Sequence, residues 1–359
     1  MRAARAAGEA QGGMIIRERE PVNLESPFDR LDEFLTSNDL FYIRSHFKAP
    51  LLDAGSYELK VEGAVQHPFA IRLAELREMP AVTRTATLEC AGNGRVFLSP
   101  QVSGAQWQLG AVSTAEWTGV PLSLLLERAV LAADACEIVF EGADQGTPKE
   151  PPKPSREFRY ARSIDLRKAQ DVVLAYEMNG EELATDHGFP LRAVVPGHYG
   201  MASVKWLTGI RAVREPFQGY WQTSDYAYWD EVDGNPVSRP LGEMALKSAI
   251  ARPGMRELVP AGRSYPIFGA AWSGELAVEQ VEVSTDNGAT WQAAKFLDPP
   301  QPFCWRRWEY RWQVPQQNGT CILKSRATDA GGNVQPEEHD RRFGTYVIRH
   351  TVGIEVVVH

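Results

Sequence analysis

After Pro253–Gly254 the chain settles into short runs of alternating apolar and polar residues broken by turn residues, a pattern that confines this part to an all-β fold. Ile267–Trp272, Val278–Ser284, Trp305–Val314 and Ile322–Thr328 each read as a strand. Asp286-Asn287-Gly288 lies between two of them and predicts a tight hairpin, because Asn and Gly accept positive φ. Strands at this spacing suggest a sandwich of immunoglobulin size, without the antibody-type disulfide.

The preceding stretch is patterned differently. Tyr57–Val61 alternates like a half-buried strand, and Val172–Tyr176 and Leu191–Val195 read as buried strands. Leu73–Met79 and Leu122–Ala133 carry apolar residues at helical spacing, the second behind Pro121, which suits a first helical turn. Phe41–Arg44 is a short aromatic and β-branched run, Ser26–Asp29 an extended entry, and Gly146–Pro154 a proline-rich surface loop. Strands and helices mixed without regular alternation indicate an α+β domain. The expected division is a flexible tail over 1–25, an α+β domain over 26–247 and a sandwich over 248–359.

Composition narrows the function classes. With 43% hydrophobic and 23% charged residues over 359 positions, the chain can build a sizeable core. Asp and Glu number 46 against 38 Lys and Arg, and the net charge of −8 argues against a nucleic-acid binder. A small anionic substrate stays open, since that needs only local positive charge. Cys136, Cys304 and Cys321 read as small buried hydrophobes, and no C-x-x-C pair occurs, so zinc-ribbon and thioredoxin-like chemistry lack support. No window of 18 apolar residues predicts a membrane span. The N-terminus lacks the apolar region of an export signal, which makes the cytoplasm the expected location, or the periplasm where a signal has been removed.

Three segments carry chemistry. In Thr87-Leu88-Glu89-Cys90-Ala91-Gly92-Asn93-Gly94-Arg95, a cysteine ends a strand and enters a turn of small residues that lets the backbone approach a bulky ligand. Arg95 would favour the thiolate, a soft ligand suited to a redox metal. Asp186-His187-Gly188-Phe189-Pro190-Leu191-Arg192, followed by Ser203-Val204-Lys205-Trp206, offers charges able to grip a phosphate and a polar heterocycle. In Phe41-Tyr42-Ile43-Arg44-Ser45-His46, Arg44 and His46 would share one face of a strand. Taken singly, each also fits a structural role: a buried cysteine, a capping histidine, solvated surface charges.

Together, and in this order, these segments resemble the sulfite oxidase family of molybdopterin enzymes. Trp107–Leu122, Val139–Pro148 and Gly331–Pro336 are similar to further segments of that family, so the resemblance runs from about Phe41 to the C-terminus. It implies a molybdopterin-binding α+β domain followed by an immunoglobulin-like dimerisation domain, and a homodimer. It implies that Cys90 is the single protein ligand of molybdenum. The pterin-binding positions fall on Tyr42, Arg44, His46, Asp144, His187, Arg192, Ser203, Val204 and Lys205. The substrate pocket falls on Arg44, Arg95, Trp107, Tyr226 and, from the second domain, Arg306 or its neighbour Arg307. The implied reaction is oxidation of sulfite to sulfate by oxygen-atom transfer, with a related reaction on nitrate, sulfane sulfur or a sulfoxide as the alternative. No haem or flavin domain and no C-x-x-C-H motif is recognisable, so electrons are expected to pass to an external acceptor such as a c-type cytochrome. Gly94 stands where many relatives carry a second arginine, which makes the pocket less positive. A non-catalytic binding module built on the aromatic-rich sandwich is the competing class.

Overall fold

The computed structural model describes residues 10, 11, 13–149 and 154–359. Residues 150–153 of the expected proline-rich loop, and residues 1–9 and 12 of the expected tail, lie outside them. Two five-stranded sheets form the first domain. One runs in the order Glu181–Glu182, Val173–Met178, Val112–Pro121, Val82–Glu89, with Arg192–Val194 also paired to Val173–Met178. The other runs Phe69–Arg72, Glu58–Gly63, Leu207–Val213, Glu137–Gly146, Phe158–Asp165. Leu59 and Val61 are buried while Lys60 between them is exposed, the alternation read from Tyr57–Val61. Among the described residues, the α-helices are Leu73–Glu78 and Leu122–Ala129, the latter turning Leu122, Leu125 and Ala129 inward. Its end comes at Val130, which takes positive φ.

Four strands on one side and five on the other form the second domain. Lys247–Arg252, Ser264–Trp272, Arg306–Gln313 and Lys295–Phe296 make the first sheet. Leu258–Val259, Ile354–Val358, Gly319–Asp329, Val278–Ser284 and Gln292–Ala293 make the second. Asn287 and Gly288 both adopt positive φ in the turn between Val278–Ser284 and Gln292–Ala293, as the Asp-Asn-Gly signal requires. The molecule is thus an α+β domain followed by an all-β sandwich. One apolar cluster runs through both, and a smaller one gathers Cys90, Phe41, Trp107 and Trp117. Among the described residues no helix is long and apolar enough to cross a membrane.

Three local expectations are corrected. Residues 14–25 are not a loose tail: Met14–Glu18 and Asn23–Glu25 pair antiparallel, with Met14, Asn23, Leu24 and Glu25 buried. Alternation there is interrupted by the polar Asn23 and Glu25, whose burial is satisfied by hydrogen bonds that sequence patterning cannot reveal. Ser26–Asp29 is not extended, since Phe28–Arg30 forms a short 3-10 turn. Phe41–Arg44 is no regular strand, because only Ile43 makes a bridge, to Leu24.

Candidate active site

The strand Val82–Glu89 delivers Cys90 to the lining of a cleft. Asn93 N donates to Cys90 O at 2.8 Å and closes the turn, and Gly94 follows with φ 97°. A Cβ on Gly92 would lie 2.4 Å from the Arg95 guanidinium, so glycine is needed for that close approach. Burial pushes the Cys90 thiol up, against the opposing pull of Arg44, Arg95 and the Gly92 backbone N–H. The expected thiolate-favouring role of Arg95 is therefore present in direction but outweighed by desolvation in the protein alone.

One wall comes from the segment that follows the N-terminal hairpin. Asn23 Oδ1 accepts from Ser45 N at 2.7 Å and from Arg44 Nη1 at 3.5 Å. Tyr42, Arg44, Ser45 and His46 all line the cleft in consequence. His46 Nε2 and Tyr226 Oη share a hydrogen bond of 2.8 Å. Burial, with Arg44 and Lys205 nearby, holds His46 well below its ordinary pKa, while burial holds the Tyr226 phenol well above its own. Both are neutral at neutral pH. Tyr226 leaves a single π-helical turn, Tyr220–Asp225, and Arg162 braces that turn by donating to Trp221 O and Leu241 O.

A further part of the lining is cationic. Arg192 donates to His187 O at 2.9 Å and to Ser203 O at 3.3 Å, and its buried Nε has no hydrogen-bond partner. Lys205 donates to Ser45 Oγ and Asp186 O, each at 2.8 Å. Desolvation lowers Arg192 to about 10 and lowers Lys205, the latter also through Arg192. Burial raises Asp144, partly offset by Lys205. His187 falls to about 3 through burial, Lys205 and Arg192, and is a neutral imidazole donating over a long 3.4 Å to Asn38 O. A buried arginine nitrogen without a partner, beside a lysine and a neutral histidine, is an arrangement that an anionic phosphate would complete. A phosphorylated heterocycle bearing a metal fits this chemistry, with the phosphate on Arg192 and Lys205 and the metal at Cys90. Among the described residues no group of three or more His, Cys, Asp or Glu side chains stands together to hold a metal.

Of the expected site residues, the structure brings Tyr42, Arg44, His46, Cys90, Asp144, His187, Arg192, Ser203, Lys205 and Tyr226 around this one cleft. The others sit elsewhere. Trp107 is fully buried behind Cys90 in the same apolar cluster, and Val204 is a core residue whose carbonyl accepts from Ala193 N. Arg95 is also buried: it donates to Thr345 O at 3.1 Å and Ala105 O at 2.9 Å and lies over the Tyr346 ring, outside the cleft lining. The expectation for Arg306 is corrected. Its guanidinium stacks on Phe296 and donates to Val278 O and Asp298 O, within its own domain. Arg307 is occupied by Asp298 and Asp32 O. It is Thr345–Ile348 that the second domain sends to the Cys90 loop, with Val347 N donating to Ala91 O at 2.8 Å.

Tyr160 was not anticipated. It lines the cleft, stacks on His46 at 5.1 Å between ring centroids and donates to Met201 O. Period-2 spacing with Arg162 shows that the two share a face, but nothing in that spacing says the face borders a cleft. Trp221 also packs on His46, with 4.3 Å between ring centroids.

Comparison with known proteins agrees with this geometry. Residues 46–221 match the oxidoreductase molybdopterin binding domain, and residues 238–349 match the Mo-co oxidoreductase dimerisation domain. The sulfite oxidase of Gallus gallus is 38% identical over 344 residues, covering 90% of this chain and 73% of that protein. The mitochondrial sulfite oxidase of Macaca fascicularis is 37% identical over 347 residues, and there the match spans 61% of the relative's length and 90% of this chain. Among solved structures, the sulfane dehydrogenase SoxCD from Paracoccus pantotrophus superposes with a TM-score of 0.80 at 28% identity, covering 94% of this chain and 84% of that one. The cleft, the two domains and these likenesses converge: the chain belongs to the sulfite oxidase family of molybdopterin-dependent oxidoreductases.

Proposed function

We propose that this enzyme oxidises sulfite to sulfate at a molybdopterin held in the cleft, with Cys90 as the only protein ligand of the metal. Sulfite and water yield sulfate, two protons and two electrons, and the electrons leave to a separate acceptor such as a c-type cytochrome. The bound cofactor supplies oxygen-atom transfer and stores the electrons. The protein supplies position and charge. Arg44, anchored to Asn23 and Ser45 O, is the guanidinium of the cleft best situated for the substrate anion once Arg192 and Lys205 hold the phosphate. Tyr226, kept protonated by burial and oriented by His46, offers a hydroxyl to the substrate side of the cleft.

The observation that carries the reading is the convergence of one buried thiol, one anchored arginine and a hydrogen-bonded Tyr–His pair on the same cleft. Sulfite is favoured by the relatives that bear the sulfite oxidase name. Oxidation of sulfane sulfur is the second reading, favoured by the structural likeness to SoxCD. The second domain's match to a dimerisation domain supports a two-fold homodimer. Steady-state assays of the molybdenum-loaded protein with ferricyanide or cytochrome c as acceptor decide between the substrates. Sulfite-dependent reduction of the acceptor is expected. Turnover of a sulfane substrate or nitrate without sulfite activity would refute it.

A further inference from the structure

Glu89, the residue before Cys90, is buried at the seam between the domains and is 1% exposed. Its Oε1 accepts from Lys247 Nζ at 2.9 Å and from Asn93 Nδ2 at 3.0 Å, and its Oε2 accepts from Trp272 Nε1 at 2.8 Å. Lys247, 3% exposed, also donates to Asn93 O at 2.9 Å. Lys247 and Trp272 face each other on paired strands, so one end of the second domain's sheet presents both donors.

Burying two charges is costly, and an apolar pair of equal volume is often as stable or more so. Stability alone does not account for this ion pair. Its surroundings suggest another reason. Ala91 O accepts from Val347 N, Asn93 O from Lys247, and Arg95 Nε donates to Thr345 O. Residues 89, 91, 93 and 95 are thus all tied to the second domain, and Cys90 sits inside that set of ties.

We infer that the Glu89–Lys247–Trp272 cluster is a positioning device by which the second domain sets the Cys90 loop and balances the charge beside the metal ligand. This rests on the assignment of Cys90 to molybdenum. A buried anion left unbalanced disfavours adding electrons nearby, and an unbalanced cation favours it. In the molybdenum-loaded protein, Glu89→Gln is therefore expected to raise the molybdenum midpoint potentials, and Lys247→Met to lower them. The double variant, with neither charge, is expected to lie between the single variants.

The measurement is a potentiometric titration followed by electron paramagnetic resonance, with metal content and circular dichroism as checks on loading and fold. Should a single variant not fold, Trp272→Phe keeps both charges and most of the side-chain volume. It is expected to alter the line shape of the molybdenum signal at unchanged potential. Shifts of the same sign in both charge variants, or wild-type potentials and line shapes throughout, would overturn the proposal. A wild-type signal that Cys90→Ser leaves untouched would instead overturn the ligand assignment.

Discussion

At the residue scale the site depends on groups whose charge is set by burial. Replacing Arg44 by alanine removes the cleft guanidinium proposed to meet the substrate anion. A charge-assisted contact of this kind contributes about 1.5–3 kcal/mol, so KM for sulfite should rise on the order of 10–100-fold. Steady-state kinetics test this, and an unchanged KM would sink the role. Cys90→Ser keeps size but offers a harder ligand, and loss of molybdenum and of turnover with retained circular dichroism is expected. His187 gives a pH signature. Its pKa falls from 6.5 to about 3 on folding, so the unfolded chain takes up the proton first as the pH drops. Stability must then decline below pH 6.5 and level off near pH 3. At pH 5 the loss from this one side chain is about 2 kcal/mol. In the cofactor-free protein, His187→Gln should show a smaller drop in urea midpoint between pH 7 and 5 than the wild type. The residue types of this cleft were legible in the sequence because thiol, guanidinium and imidazole stood in ordered, spaced motifs. The direction each faces was not. Arg306 and Arg44 look alike as letters, and only the pairing of Ala271 with Arg306 shows that the former is committed to its own sheet.

Elements were readable where one face meets the core and the other meets water. Glu58–Gly63, the start of the helix at Leu122 (it ends at Ala129, short of the expected Ala133) and the Asp286–Gly288 turn follow from periodicity or turn chemistry. The N-terminal hairpin escaped because its buried side chains include Asn23 and Glu25. Glu25 accepts from Gly110 N at 2.7 Å and Gln108 N at 3.1 Å and pairs with Arg17. Burial raises its pKa even against that pairing. A strand whose inward positions are polar carries no amphipathic signal. The hairpin nonetheless sets the cleft wall, and Asn23→Ala should show it. Leaving Ser45 N without its acceptor should cost about 1–3 kcal/mol in denaturant unfolding and raise KM for sulfite through Arg44. The Cys90 turn is similarly constrained at Gly94, where positive φ and Ile348 Cγ2, 3.1 Å from an added Cβ, both oppose a side chain. Gly94→Ala is expected to lose about 1–2 kcal/mol, read as a lower Tm.

At the scale of the whole molecule, the division into an α+β part and a β-sandwich was foreseeable from the change in patterning after Pro253–Gly254. The intimacy of their contact was not, since buried charges such as Glu89 and Lys247 are indistinguishable in sequence from surface ones. The dimer predicted from the second domain should sediment at twice the chain mass at micromolar concentration, and a monomer there would refute it. The ties from residues 89, 91, 93 and 95 also bear on how the protein can be dissected. A fragment ended before Lys247 would leave the Glu89 carboxylate, Ala91 O and Asn93 O without their partners from the second domain. The half that holds every cleft residue is therefore expected to lose rigidity around Cys90 when the other half is cut away, because that is where the ties between them gather.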